Sequence, residues 1–120
     1  MNRRQRGQSG EDLAWEHLRR AGYALIERNA RGRFGEIDLV VERSGTIVFV
    51  EVRSRSTPRF GSAFESVDAR KQHRLGRLAM AYLSRRRLHD RRARFDVIAI
   101  QWQDGAPVID HLENAFEVSG

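Results

Sequence analysis

The residues with chemistry to offer lie together in residues 35–55, GEIDLVVERSGTIVFVEVRSR. Two runs rich in Val and Ile flank Ser44-Gly45, a two-residue turn of the kind that closes an antiparallel hairpin. With that turn, residue 43 faces residue 46, and the same register sets Asp38 opposite Glu51, Glu36 opposite Arg53 and Val40 opposite Phe49. Those side chains share one face, while Ile37, Leu39, Val41, Val48, Val50 and Val52 share the other, which is the expected core. Two carboxylates directly opposed on adjacent strands repel unless a shared proton, a basic side chain or a divalent cation neutralises them. Hard cations such as Mg²⁺ prefer carboxylate and water oxygens and keep positions open for phosphate. The competing reading is a solvated face on which Glu36 pairs with Arg53 while Asp38 and Glu51 avoid each other. A longer turn would also shift the register and separate the acids.

Other acids matter only if the flanking elements carry them to this face. A helix is expected from Ser9, an N-cap with Asp12 three residues on, followed by Ala14, Leu18 and Ala21 at helical spacing, with Trp15 beside them and Gly22 as the stop. Glu11 falls on the same face one turn earlier, where a carboxylate also complements the helix dipole. A short strand over residues 23–29 exits through a loop at 29–32, and the hairpin strands span 36–43 and 46–54. Residues 55–66 read as a loop. Asp68 is the expected N-cap of the longest helix, in which Leu75, Leu78, Ala79, Tyr82 and Leu83 form one apolar stripe. A basic connection then leads to strands at 95–102 and 108–112 around Asp104-Gly105, with NAFEVSG as a tail. The order is αβββαββ, an α/β class with a mixed central sheet flanked by helices. The expected organisation is a flexible basic tail at 1–8, a single domain at 9–116 and a C-terminal tail at 117–120.

Composition narrows the chemistry. The chain of 120 residues has no Cys, which excludes disulfides and thiolate metal sites. His17, His73, His89 and His111 lie far apart without metal-ligand spacing, so a zinc site is not expected and any metal should be held mainly by oxygen. The basic N-terminus is not followed by an apolar signal core, and no apolar run approaches the roughly 18 residues that span a bilayer. A soluble cytoplasmic protein without a membrane partner is expected. The 22 Lys and Arg against 16 Asp and Glu give a net charge of +6, which favours a polyanionic partner. Lys71 is the sole lysine.

Asp38, with Glu51-Val52-Arg53 thirteen residues on, resembles the PD-(D/E)XK nuclease signature with its last position altered. More closely, the chain resembles the bacterial YraN-like family, related to archaeal-type Holliday junction resolvases. The matching stretches are Gly10-Glu11 with Ala14, Gly22-Tyr23, Arg28-Asn29, GEIDLV at 35–40, VFVEVRSR at 48–55, Phe60-Gly61, Lys71-Gln72, RFDV at 94–97 and NAF at 114–116. This resemblance implies a restriction-endonuclease-like core in which Glu11 is the helix-borne acid, Asp38 and Glu51 are ligands of Mg²⁺ or Mn²⁺, and Arg53 holds the position of the signature lysine. It also brings Gln72 toward the site and implies a homodimer.

Arg53 is where the sequence departs from the signature. A guanidinium stabilises anionic oxygens but does not lose its proton, so it does not replace a lysine that acts as a base. Three consequences are open: a tolerant position converted by a bias toward Arg, loss of cutting, or Lys71 reaching in from the helix. Around the acids, Arg55 and Arg59 lie in the loop, Arg70, Lys71, Arg74 and Arg77 on the second helix, and Arg85, Arg86 and Arg87 at its exit. Such clusters contact phosphates without reading sequence, although a solvated Arg face balanced by nearby acids accounts for each residue singly. The expected function is a metal-dependent endonuclease acting on DNA, branched DNA included. The rivals are a non-catalytic nucleic-acid-binding module that retains the fold and an interaction subunit that needs a partner for activity.

Overall fold

The computed structural model describes residues 3–33, 35–55 and 67–117. Within them run α1 (Arg3–Arg20), β1 (Ala24–Gly32), β2 (Gly35–Arg43), β3 (Thr46–Arg55), α2 (Ala69–Arg85), β4 (Arg92–Gln103) and β5 (Ala106–Glu117). This is the αβββαββ order expected for a restriction-endonuclease-like core. The strands form one sheet in the order β1-β2-β3-β4-β5, antiparallel throughout except for β3 and β4, which are parallel and joined through α2.

The hairpin register follows from its turn. Ser44 and Gly45 both have positive φ, 52° and 81°, the combination whose twist matches that of the strands. Arg43 therefore pairs with Thr46, and the β2–β3 ladder runs to Leu39 opposite Val50. At the head of α2, Asp68 accepts a hydrogen bond from the Lys71 N–H at 2.9 Å, as an N-cap should.

Both faces of the sheet are core, which corrects the one-sided expectation. Ala14 and Leu18 of α1, with Tyr23, pack on Leu39, Val41, Val48, Val50, Ile98 and Ile100. On the other side, Leu75, Leu78, Ala79, Tyr82 and Leu83 of α2 cover Val40, Ile47, Phe49, Phe95 and Val97. Val40 and Phe49, expected on the acid-bearing face, are fully buried. Ile37 joins the α2 side, beyond the point where the β2–β3 ladder ends. Strands paired in parallel and roofed by helices on both faces lose their inside–outside alternation. Each fully buried aliphatic or aromatic side chain contributes about 1.5–3 kcal/mol.

Several boundaries also move. The helix expected from Ser9 starts at Arg3, so Ser9 lies inside α1 and residues 3–8, expected as a tail, are helical. Arg and Gln are good helix formers and carry the helix back past that residue. β1 continues through the expected exit loop to Gly32, because Asn29 holds a left-handed φ of 52° within a strand that also bulges between Leu25 and Glu27. β4 begins at Arg92 rather than Phe95. β5 absorbs most of the expected tail: a register shift opposite Phe95/Val97 and a φ of 52° at Asn114 let it resume pairing, and Phe116 stacks on Phe95 with centroids 4.6 Å apart. The loop at 56–66, with Arg59 and Phe60-Gly61, lies outside the described residues, as does the Arg55 side chain. Among the described residues no helix is long and apolar enough to cross a membrane.

Candidate metal centre

Glu11 reaches the hairpin because Gly10 lets α1 lie close to β3. A Cβ on Gly10 would stand 3.3 Å from the Ser54 Cβ, tighter than ordinary van der Waals contact, so a larger residue would require its neighbours to give by a few tenths of an ångström. Asp38 sits just past the last β2–β3 ladder pair, and its Oδ2 accepts the Val52 N–H at 2.8 Å. That side chain thus takes a donor the diverging strand no longer satisfies. Glu51 follows on β3 and is only 8% exposed.

Carboxylate oxygens of Glu11, Glu36 and Asp38 all lie within 4.8 Å of one another. With its amide nitrogen turned toward the acids, Asn29 of β1 donates to Glu36 Oε1 at 2.9 Å and to Glu11 Oε1 at 3.2 Å. Arg28 stands 3.7 Å from Glu11 but is closer to Asp12, at 2.8 Å.

These acids are under-compensated. Burial and then the Glu51 charge push Asp38 up to about 8, against the opposing Val52 hydrogen bond. Burial also raises Glu51, opposed by its hydrogen bond with Asp38 and by the charges of Arg53 and Arg74. Glu11 rises through burial and the Asp38 charge, with Arg28 opposing. Both shifts favour retention of a proton between Asp38 and Glu51, one of the three neutralisers the sequence left open.

A hard cation is a second way to neutralise the group, and the donors fit one. All are oxygens, and two ligands on one Mg²⁺ with Mg–O of about 2.1 Å stand at most about 4.2 Å apart, so small side-chain adjustments close the site. Beside the acids, the Nε and Nη2 atoms of Arg53 are buried and find no hydrogen-bond partner among the described residues. Glu51 Oε1 is 3.9 Å from Arg53 Nη2, too far for a hydrogen bond. Buried orphan donors are costly, and an anionic oxygen is the kind of group that relieves them.

The remaining expected residues are dispersed. Glu36 does not pair with Arg53: past the end of the ladder it turns to β1, 3.4 Å from Arg31. Gln72 is not directed at the acids, since its Nε2 donates to the Val67 carbonyl at 3.0 Å and closes the first turn of α2. Arg70, Lys71 and Arg74 line, with Asp68, a cavity of about 260 Å³ at the start of α2. Arg77 is exposed midway along the helix. Arg85, Arg86 and Arg87 lie exposed at its far end, where Arg86 binds Glu27 and both Arg85 and Arg86 stack over Tyr82.

Asn29 and Glu36 were missed as site residues. Their only signal was the Arg28-Asn29 and GEIDLV stretches, because pairing alone reveals that β1 lies beside β2. His17 and His111, distant in sequence, meet at 3.2 Å, Nε2 to Nδ1.

The family model described as "Uncharacterised protein family UPF0102" matches residues 10–100. A UPF0102 protein of Moorella thermoacetica is 52% identical over 104 residues, 87% of this chain and 86% of its own. One of Trichlorobacter lovleyi is 45% identical over 115 residues, 94% of this chain and 91% of its own. Among solved structures, Pyrococcus furiosus SfsA in complex with Ca²⁺ is similar over 92% of this chain and 63% of its own, at 15% identity and a TM-score of 0.41.

Proposed function

We propose, for a chain that belongs to the UPF0102 family, a metal-dependent endonuclease-like activity on DNA phosphodiester bonds, branched DNA among its substrates. The observation that carries this reading is the convergence of Glu11, Glu36 and Asp38 on one point, next to the orphaned donors of Arg53. Glu11, Asp38 and Glu51 would hold Mg²⁺ or Mn²⁺, with Glu36 as a further carboxylate in reach. Such an ion, when bound, supplies Lewis acidity and a more acidic water at the phosphate.

The chain's own residues would do the rest. Asp38 and Glu51 give up the proton they share. Asn29 holds Glu11 and Glu36 in one orientation. Arg53 donates Nε–H and Nη2–H to non-bridging phosphate oxygens, where charge grows in the transition state, and acts as an electrostatic clamp rather than a base. Arg70, Lys71 and Arg74 would receive a flanking stretch of backbone without reading its sequence.

A second reading, a nucleic-acid-binding module that does not cut, is favoured by one observation: a guanidinium occupies the position of the signature lysine. Labelled linear, single-stranded and four-way-junction DNA, incubated with the protein and Mg²⁺ or Mn²⁺ or with chelator, separates the two. Cleavage that requires metal and vanishes in Asp38→Ala supports the enzyme, whereas binding without cutting under every condition supports the module. Arg53→Lys then locates the defect if only the variant cuts. Sedimentation of the same preparation checks the homodimer.

A further inference from the structure

A second polar centre is built around Asp96 of β4, which is fully buried. Its carboxylate accepts from His111 Nε2 at 2.7 Å, Arg94 Nε at 3.0 Å and the Asn114 N–H at 2.9 Å. Arg94 in turn donates to the Tyr23 hydroxyl at 2.7 Å. Although burial acts against it, these hydrogen bonds hold Asp96 below its usual range and so ionised. An ionised carboxylate only accepts, so in the neutral ring it fixes the His111 proton on Nε2 and leaves the Nδ1 lone pair free. That lone pair faces Nε2 of His17 at 3.2 Å, with the rings edge to face and their centroids 5.2 Å apart.

Two nitrogens that share one tetrahedral Zn²⁺ at about 2.0–2.1 Å stand about 3.3 Å apart. A carboxylate behind a ligating histidine, which fixes the tautomer and raises its basicity, is the usual support of such a site. We infer that His17 and His111 form a two-nitrogen site for a borderline transition-metal ion such as Zn²⁺ or Co²⁺, separate from the oxygen donors around Asp38. The pair lies between the C-terminal half of α1 and the edge strand β5, so an occupant would pin one to the other. Both rings are partly exposed, which leaves the remaining coordination positions to water. Without metal, His17 donates its Nε2 proton to His111. On binding, Nε2 gives up that proton to solvent while Nδ1 takes one from solvent, so the ring stays neutral and its other tautomer presents the Nε2 lone pair to the ion. Burial and the nearby His111 hold His17 below the usual histidine range, which favours the neutral ring that a metal needs.

Calorimetric titration of ZnCl₂, and of CoCl₂ followed by visible absorption, into full-length Asp38→Asn protein with excess Mg²⁺ tests this site with the carboxylate cluster disabled. One equivalent should bind to the protein with both histidines, at least about tenfold more weakly in His17→Gln, and not at all at a pH low enough to protonate both rings. His17→Gln keeps the Asp96–His111 pair, and an unchanged thermal melt in the absence of metal shows that lost binding is not lost folding. His111→Gln provides the same comparison from the other ring. Failure of the His-intact protein to bind, or equal affinity in His17→Gln, would overturn the site and leave the pair as a hydrogen bond tying α1 to β5.

Discussion

Two carboxylate centres sit one residue apart in the β3–β4 register, Asp96 opposite Val50 and Glu51 opposite Val97, yet their electrostatics are opposite. Asp96 is fully buried and is held below the usual carboxylate range by three donors. Asp38, partly exposed, is pushed up to about 8 by burial and the Glu51 charge, with only the Val52 N–H and the Arg53 charge opposing. Burial is common to both. What separates them is the supply of donors: a compensated charge braces the fold, whereas an uncompensated one creates a standing demand for a proton or a cation.

The largest effect should come from breaking the compensated centre. Asp96→Ala leaves the half-buried Arg94 and His111 without their partner and should cost about 3 kcal/mol in urea denaturation. Asp38→Asn should do the reverse, stabilising the metal-free protein by about 1–3 kcal/mol while abolishing any rise in Tm on adding Mg²⁺ or Mn²⁺. The pH dependence sharpens the contrast. Asp38 has a folded value near 8 against 3.8 unfolded, so its contribution is full below about 4 and is lost as pH rises toward 8. Asp96 is depressed, so its contribution is present above 3.8 and is lost as pH falls through its folded value. Melts across pH should therefore show a decline between about pH 4 and 8 that Asp38→Asn flattens and a decline below 3.8 that it leaves alone.

Metal affinity should follow the same proton. Mn²⁺ must displace it from Asp38, so affinity should rise about tenfold per pH unit and level off near 8, as calorimetry in buffers of different ionisation enthalpy would reveal. The smallest effect belongs to Asn29. Asn29→Ala removes the bridge between Glu11 and Glu36 and should weaken Mn²⁺ binding by about 0.5–1.5 kcal/mol, leaving the His111 resonances unmoved.

The hairpin was legible in the sequence because its register is set locally, by two turn residues, and the stripe and cap of α2 were legible for the same reason. Glu11 was placed by helical spacing and resemblance together. What escaped depends on contacts between distant segments. Asn29 approaches the acids only because β1 pairs with β2, and a left-handed residue inside a strand leaves no periodic trace. The start of α1 was hidden because Ser9 is a fair cap and also a tolerable helix residue. His17 and His111, 94 residues apart, show no spacing at all, and only the docking of α1 on the sheet brings them together. Arg53 was visible as a departure from the signature, but the lack of partners for its donors is a property of packing.

Gly10, the small residue that seats α1 against Ser54, has a mechanical consequence. The helix it seats carries Glu11 toward one centre and His17 toward the other, about 9 Å apart along its axis at 1.5 Å per residue. A rod fixed at two such points cannot slide or tilt at one end without displacing the other. Gly10→Ala, by pressing a Cβ to 3.3 Å from that of Ser54, would strain the seat on which both depend, so this glycine bears on the alignment of the helix along the sheet as well as on a single contact.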